Sequence, residues 1–231
     1  MRKLVPVVTC EHAGNQVPKA YAYLFSQAKE DLNSHRGWDP GALKWAESLA
    51  KSLNVPLFSH PWTRLLAEIN RSEGSPGLFS KYSIGLSKSV KNYVLDQYYR
   101  PHRMKVFNHI SELIKEGNSV VHLGIHSFTP IWNGEKREVD FGLLFDDDRA
   151  FELEFCSKLK EQLDIQASEK QTRFNEPYHG KDDGFTTFLR QQLPAKKYLG
   201  IEIEINQQFI GNDTLKISEL LNKAVRKVLS G

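Results

Sequence analysis

Residues Tyr198 to Ile205 read YLGIEIEI and run into Asn206-Gln207, and two other stretches of the chain have the same form. Leu4 to Thr9 (LVPVVT) runs into Cys10-Glu11-His12-Ala13-Gly14-Asn15, and Ser119 to Ile125 (SVVHLGI) runs into His126-Ser127. Short apolar, β-branched runs bounded by polar turns predict strands, and each of these strands ends in residues able to do chemistry. Between them, Gly41 to Leu53 (GALKWAESLAKSL) puts Leu43, Trp45, Ala46, Leu49, Ala50 and Leu53 on one helical face. Further helical patterns span Val94 to Lys115, Ala150 to Leu163 and Thr214 to Leu229. Strands alternating with helices predict an α/β layered fold around a mostly parallel sheet. Ligands of such sheets sit beyond the carboxyl ends of the strands, so the three polar strand ends are candidates for one shared site.

The chain has 231 residues, 40% hydrophobic and 26% charged, which excludes disorder, collagen-like repeats and coiled coil. No linker or repeat divides it, and residues 1–231 read as a single domain. Lys and Arg number 31 against 28 Asp and Glu, a net charge of +3 with no basic stripe, so charge does not imply nucleic acid. Cys10 and Cys156 make neither a disulfide framework nor a Cys-x-x-Cys motif. With no apolar run after Met1 and none of 18 residues elsewhere, the expectation is a cytoplasmic chain without a membrane span. Ser72 to Ser89 reads as a long polar loop, and Pro130 to Arg137 and Asn175 to Gly184 as shorter ones.

His12 and His126 each follow a strand, a geometry suited to a divalent metal that also holds a water. Asp39, in HRGWDPGA (35–42), fits either a helix N-cap or a third, oxygen ligand, with His35 close by. Glu202 and Glu204 alternate on one strand and share a face. They are either the solvated face of an edge strand or, on an interior strand, buried carboxylates with a function. A carboxylate facing a metal-activated water is the usual base of amide hydrolysis, and Glu204 lies nearer the strand end. Arg64, Arg71 and Arg137 are the arginines placed to hold substrate carboxylates. Asn175 and Tyr178, in NEPYHG, read as substrate-facing or as turn residues. His102 reads as a helix cap or site neighbour, whereas His60, His109 and His179 show nothing beyond ordinary residues. Ser127 lacks the Gly-x-Ser-x-Gly elbow of a nucleophilic serine because Phe128 follows it. Cys10 precedes Glu11-His12, but adjacent residues on an extended chain diverge, and no glycine-rich phosphate cradle occurs.

Six motifs in order, CEHAGNQVP (10–18), HRGWDPGA (35–42), TRLLAEINRS (63–72), HSFTP (126–130) with Arg137 after it, NEPYHG (175–180) and IEIEINQ (201–207), resemble the N-formylglutamate amidohydrolase family. The resemblance covers nearly the whole chain. It implies a fold like that of zinc carboxypeptidases and aspartoacylases: a three-layer α/β/α sandwich with a mixed, mostly parallel sheet and one Zn2+ ion. It also implies His12 and His126 as zinc ligands and Glu204 as general base. The carboxypeptidase His-x-x-Glu motif has Asn15 where its glutamate would stand, so Asp39 is assigned as the acidic ligand, with Glu11 as the alternative. Arg137 would join Glu204 in catalysis; Arg64, Asn70, Arg71, Asn175, Tyr178 and His35 would bind substrate. The implied reaction is hydrolysis of a linear amide, such as that of an N-formyl or N-acyl acidic amino acid. Alternatives on the same fold are a hydrolase of peptide or cell-wall fragments and a metal-free binding protein. His and carboxylate ligands also suit Fe, Mn or Co.

Overall fold

The three apolar runs pair with one another at the centre of the molecule. The computed structural model describes residues 4–230. In chain order it contains β1 (Leu4–Cys10), α1 (Lys29–Leu32), α2 (Ala42–Leu53), β2 (Leu57–Ser59), α3 (Lys88–Val94), α4 (Arg100–Lys115) and β3 (Ser119–Phe128). A small ribbon of β4 (Ile131–Trp132) and β5 (Glu135–Lys136) follows, then β6 (Phe141–Leu144), α5 (Ala150–Gln166), β7 (Thr172–Phe174), α6 (Phe185–Gln192), β8 (Tyr198–Asn206) and α7 (Thr214–Ser230). The main sheet has the order β2-β1-β3-β8-β6-β7. Its neighbours are parallel except β6, which runs antiparallel to β8.

Alternation along the strands sorts their side chains into two cores. Val8, Val121, Leu123, Ile125, Ile201 and Ile203 meet Trp45 and Leu49 of α2, Leu159 of α5 and Leu221 of α7. Val7, Val120 and Tyr198 point the other way, onto Val106 and Ile110 of α4 and Phe185 and Leu189 of α6. The result is three layers, and burial on both faces is why these strands are apolar almost throughout. The same parity that sends Val7, Val120 and Tyr198 to the α4/α6 face also sends Thr9, His122, His126, Glu202 and Glu204 there. That face is therefore apolar where the strands begin and polar where they end.

β8 is an interior strand with a parallel neighbour on one side and an antiparallel one on the other. The edge-strand alternative for Glu202 and Glu204 is thereby removed. The helix expected from Val94 starts earlier, at Lys88, where the Ser87 hydroxyl accepts from the Val90 amide, and a π-helical turn at Leu95–Tyr99 separates α3 from α4. Ser72 to Ser89 is not a loose loop. Leu78 is buried with Phe25, Leu66, Ile69 and Tyr99, and the Ser83 hydroxyl donates to the carbonyl of Leu65. No helix among the described residues is long and apolar enough to cross a membrane.

Candidate functional site

The turn ahead of α2 carries Asp39, and the Asp39 amide donates to the His12 carbonyl at 3.0 Å, which fastens that turn to the end of β1. Helix α2 is entered through Gly41 at φ +85°, with no side-chain cap. A left-handed residue at that point is cheap only for glycine, and it leaves the Asp39 carboxylate free to turn inward. Asp39 Oδ2 lies 3.2 Å from His12 Nδ1 and 3.0 Å from His126 Nδ1, and Oδ1 accepts from Arg64 at 3.0 Å. Each imidazole has a second carboxylate on its far side. His12 Nε2 contacts Glu68 Oε1 at 2.5 Å, and His126 Nε2 lies 3.3 Å from Glu11 Oε2. Glu204 faces His126 across the β3–β8 pair, and its Oε2 is buried with no hydrogen-bond partner among the described residues. Beyond the carboxyl ends of β1, β3 and β8, His12, Asp39, Arg64, His126 and Glu204 line a cavity of about 330 Å³.

Burial sets the electrostatics. Glu204 is pushed up to about 7, first by desolvation and then by the neighbouring Asp39 and Glu202 carboxylates, with His126 and His12 pulling the other way. Burial also opposes charge on Asp39, yet His12, His126 and Arg64 outweigh it and hold that carboxyl well below the ordinary range. For His12, burial and Arg64 act against protonation, and Glu68 and Asp39 overcome both, so its pKa is raised. Burial likewise works against charge on His126, but its hydrogen bond to Asp39 and the nearby Glu11 carboxylate raise its pKa.

His12, Asp39 and His126 offer ligand atoms within 4.8 Å of one another, all from buried side chains. Two imidazole nitrogens and one carboxylate oxygen form a donor set that suits a catalytic zinc with an open position, so the residues present fit that ion. Glu11 does not belong to this group, because it faces the outer nitrogen of His126 rather than the side shared with Asp39.

The cavity brings together His12, His35, Asp39, Arg64, Asn70, Arg71, His126, Tyr178 and Glu204 from distant parts of the chain. Two expected members stand outside it. Arg137 is not among the lining residues. Its guanidinium lies 5.5, 5.1 and 5.4 Å from the ring centres of Phe128, Trp132 and Tyr178, so it stacks behind the cavity wall. Asn175 orders its own loop, its side-chain oxygen accepting from the amides of Phe145 and Gly180. Arg64 lines the cavity but has committed donors to Glu68 and Asp39, whereas Arg71 donates to the backbone carbonyl of Asp183. His35 packs edge-on against Trp132 at 5.8 Å. Ser127 is tied back, donating to the Pro40 carbonyl at 2.7 Å. His179, Arg36, Asp182 and Asp183 also line the cavity, and sequence reasoning passed over them. Glu68 was missed as well, although it lies in TRLLAEINRS four residues after Arg64, a spacing that could have signalled an ion pair. From the Ser72 to Ser89 segment, Ser72 bonds Asp183 and the Leu78 carbonyl accepts from the Glu68 amide, whereas the cavity wall is drawn from 127–129, Trp132, Tyr178, His179 and 182–184.

A carboxylate with a near-neutral pKa beside a dense histidine–carboxylate centre, at the strand ends of a mixed α/β sheet, is equipment for hydrolysis. The chain belongs to the N-formylglutamate amidohydrolase family, whose family model matches residues 5–211. As a member it is a hydrolase acting on an amide bond. Among solved structures it is similar to gene product Atu2144 from Agrobacterium tumefaciens, with 30% identity, a TM-score of 0.81, and 99% of this chain and 92% of that one covered. It is also similar to N-formylglutamate amidohydrolase from Ralstonia eutropha JMP134, at 16% identity and a TM-score of 0.71 over 100% of this chain and 94% of that one, a likeness of fold alone. No curated protein sequence matches significantly.

Proposed function

We propose that the chain is a zinc-dependent amidohydrolase that cleaves the linear amide of an N-formyl or N-acyl acidic amino acid such as N-formylglutamate. The observation that carries this reading is the approach of His12 Nδ1, Asp39 Oδ2 and His126 Nδ1 to one another beside Glu204, whose outer oxygen is unpartnered. Held by those three residues, zinc would supply a Lewis acid that makes water nucleophilic near neutral pH. Glu204 takes the proton of the attacking water and returns it to the leaving amine. A carboxylate pushed up to about 7 can do both at neutral pH. Arg71 holds a substrate carboxylate, because Arg64 is already shared between Asp39 and Glu68. Arg64 balances the charge of the buried acids instead. Asn70 and Tyr178 line the path of the substrate, and the cavity suits a small molecule better than a polymer. Cys10 and Cys156 are free and buried, which fits a reducing cytoplasm.

Chelation should abolish hydrolysis of N-formyl or N-acetyl amino acids, and added zinc should restore it. Glu204→Gln should lower kcat by at least about 100-fold with metal content unchanged. Activity indifferent to chelation would overturn the metal dependence, and zinc lost with the glutamine would make Glu204 a ligand rather than a base.

A further inference from the structure

His12 and His126 are arranged alike although they come from different strands. Each turns Nδ1 toward Asp39 Oδ2 and Nε2 toward a buried carboxylate of its own, Glu68 for His12 and Glu11 for His126. We propose that Glu68 and Glu11 are positioning residues that hold the two rings in the Nε2–H form, leaving both Nδ1 lone pairs directed at a divalent cation beside Asp39. This inference rests on the metal reading above.

Two features argue that the carboxylates are placed for this task rather than for stability. Glu11 is 2% exposed, and its two oxygens and His126 Nε2 all lack an aligned hydrogen bond among the described residues, so these groups are costly to bury unless they answer each other across their 3.3 Å separation. The segment that carries Glu68 is separate in sequence, 56 residues from His12, so one turn of chain did not produce both pairings. The two are also unequal. Glu68 divides its charge among His12, Arg64 Nε and the Asn70 amide. Glu11 faces the His126 ring, with Oε2 3.3 Å from Nε2. Carboxylates on the outer nitrogens of ligating histidines typically set metal affinity at this level.

The test is zinc affinity, read by chelator competition at constant pH on wild type, Glu11→Gln and Glu68→Gln, with far-UV circular dichroism to verify folding. Both variants should bind zinc about 10- to 100-fold more weakly. Variants that fold and bind within twofold of wild type would overturn the inference while leaving the metal reading standing. A wild type that takes up no stoichiometric zinc would overturn the metal reading, and the inference with it. A readout that needs no variant is the histidine nitrogen spectrum of the zinc-loaded wild type. His12 and His126 should carry their protons on Nε2, and protons on Nδ1 would refute the proposal even if the variants failed to fold.

Discussion

Acidification should destabilise this protein through a histidine that takes no part in the chemistry. His122 lies on β3 with no exposed surface, bridging Thr9 on β1 and Tyr198 on β8 by hydrogen bonds of 2.8 Å from each ring nitrogen. Burial pushes its pKa down to about 4 from the usual 6.5, with Glu11 opposing and Arg190 assisting. The unfolded chain therefore takes up a proton near pH 6.5, and the folded protein only near pH 4. Between those values the unfolded state binds more protons, so stability rises with pH and is lost as pH falls. Integrated from pH 7 to pH 5, this one ring removes about 2 kcal/mol of folding stability. His60, lowered to about 3 chiefly by burial, acts in the same direction. The assay is urea denaturation of chelator-treated protein at pH 7 and pH 5, for wild type and His122→Gln. The variant begins less stable because it gives up part of the Thr9–Tyr198 bridge, but its further loss on acidification should be smaller by about 2 kcal/mol. His60 and the carboxylates titrate in both proteins and cancel in the difference. Equal losses in the two would show that His122 is not held neutral by burial and would refute the reasoning.

Two further perturbations test the frame around the site. Gly142 on β6 lies directly across from Glu204, and an added Cβ there would come within 2.0 Å of the Glu176 carbonyl oxygen and 3.1 Å of Glu204 Cβ. Gly142→Ala should therefore cost about 1–3 kcal/mol and lower kcat by displacing Glu204 or the 175–180 segment, and an unchanged Tm with full activity would contradict that close approach. Arg190 is buried against Glu152 and also donates to the carbonyls of Gly180 and Gly200, tying α6 to α5 and β8. Arg190→Met takes from Glu152 its nearest cation and breaks the bonds to Gly180 and Gly200, so Tm should fall by about 6–20 °C, with Glu152→Gln in the same chain recovering part of the loss.

Much of the scaffold was legible because it is a local property. Leu4 to Thr9, Ser119 to Ile125 and Tyr198 to Ile205 are strands because they are apolar and β-branched over a short span, and the structure lengthens each only at its polar end. Gly41 to Leu53 is a helix because its apolar residues repeat at the helical period, and α2 occupies Ala42–Leu53. The short strands β2, β6 and β7 carry too few residues for any period to show, and they form by pairing with longer neighbours. Ser72 to Ser89 looked like loop because its few apolar residues have no period, but the cluster that buries Leu78 is built from distant segments.

The candidate site divides along the same line. Which residue types could act at a strand end was readable from His12, His126 and Glu204, because strand parity and chain direction are fixed by neighbouring residues. Which nitrogen meets which carboxylate was not. Asp39 reaches partners 27 and 87 positions away, and a contact of that kind depends on how the sheet orders its strands. The same distance effects moved Arg137 onto a wall of aromatic rings, turned Asn175 into a loop fastener and made Glu68 a partner of His12. The sequence by itself determined the three central strands, the longer helices and the candidate chemistry, each a matter of local pattern. Only the tertiary structure decided that β8 is interior, and with it that Glu204 is buried with a pKa near neutrality, because desolvation is a property of everything packed around a group.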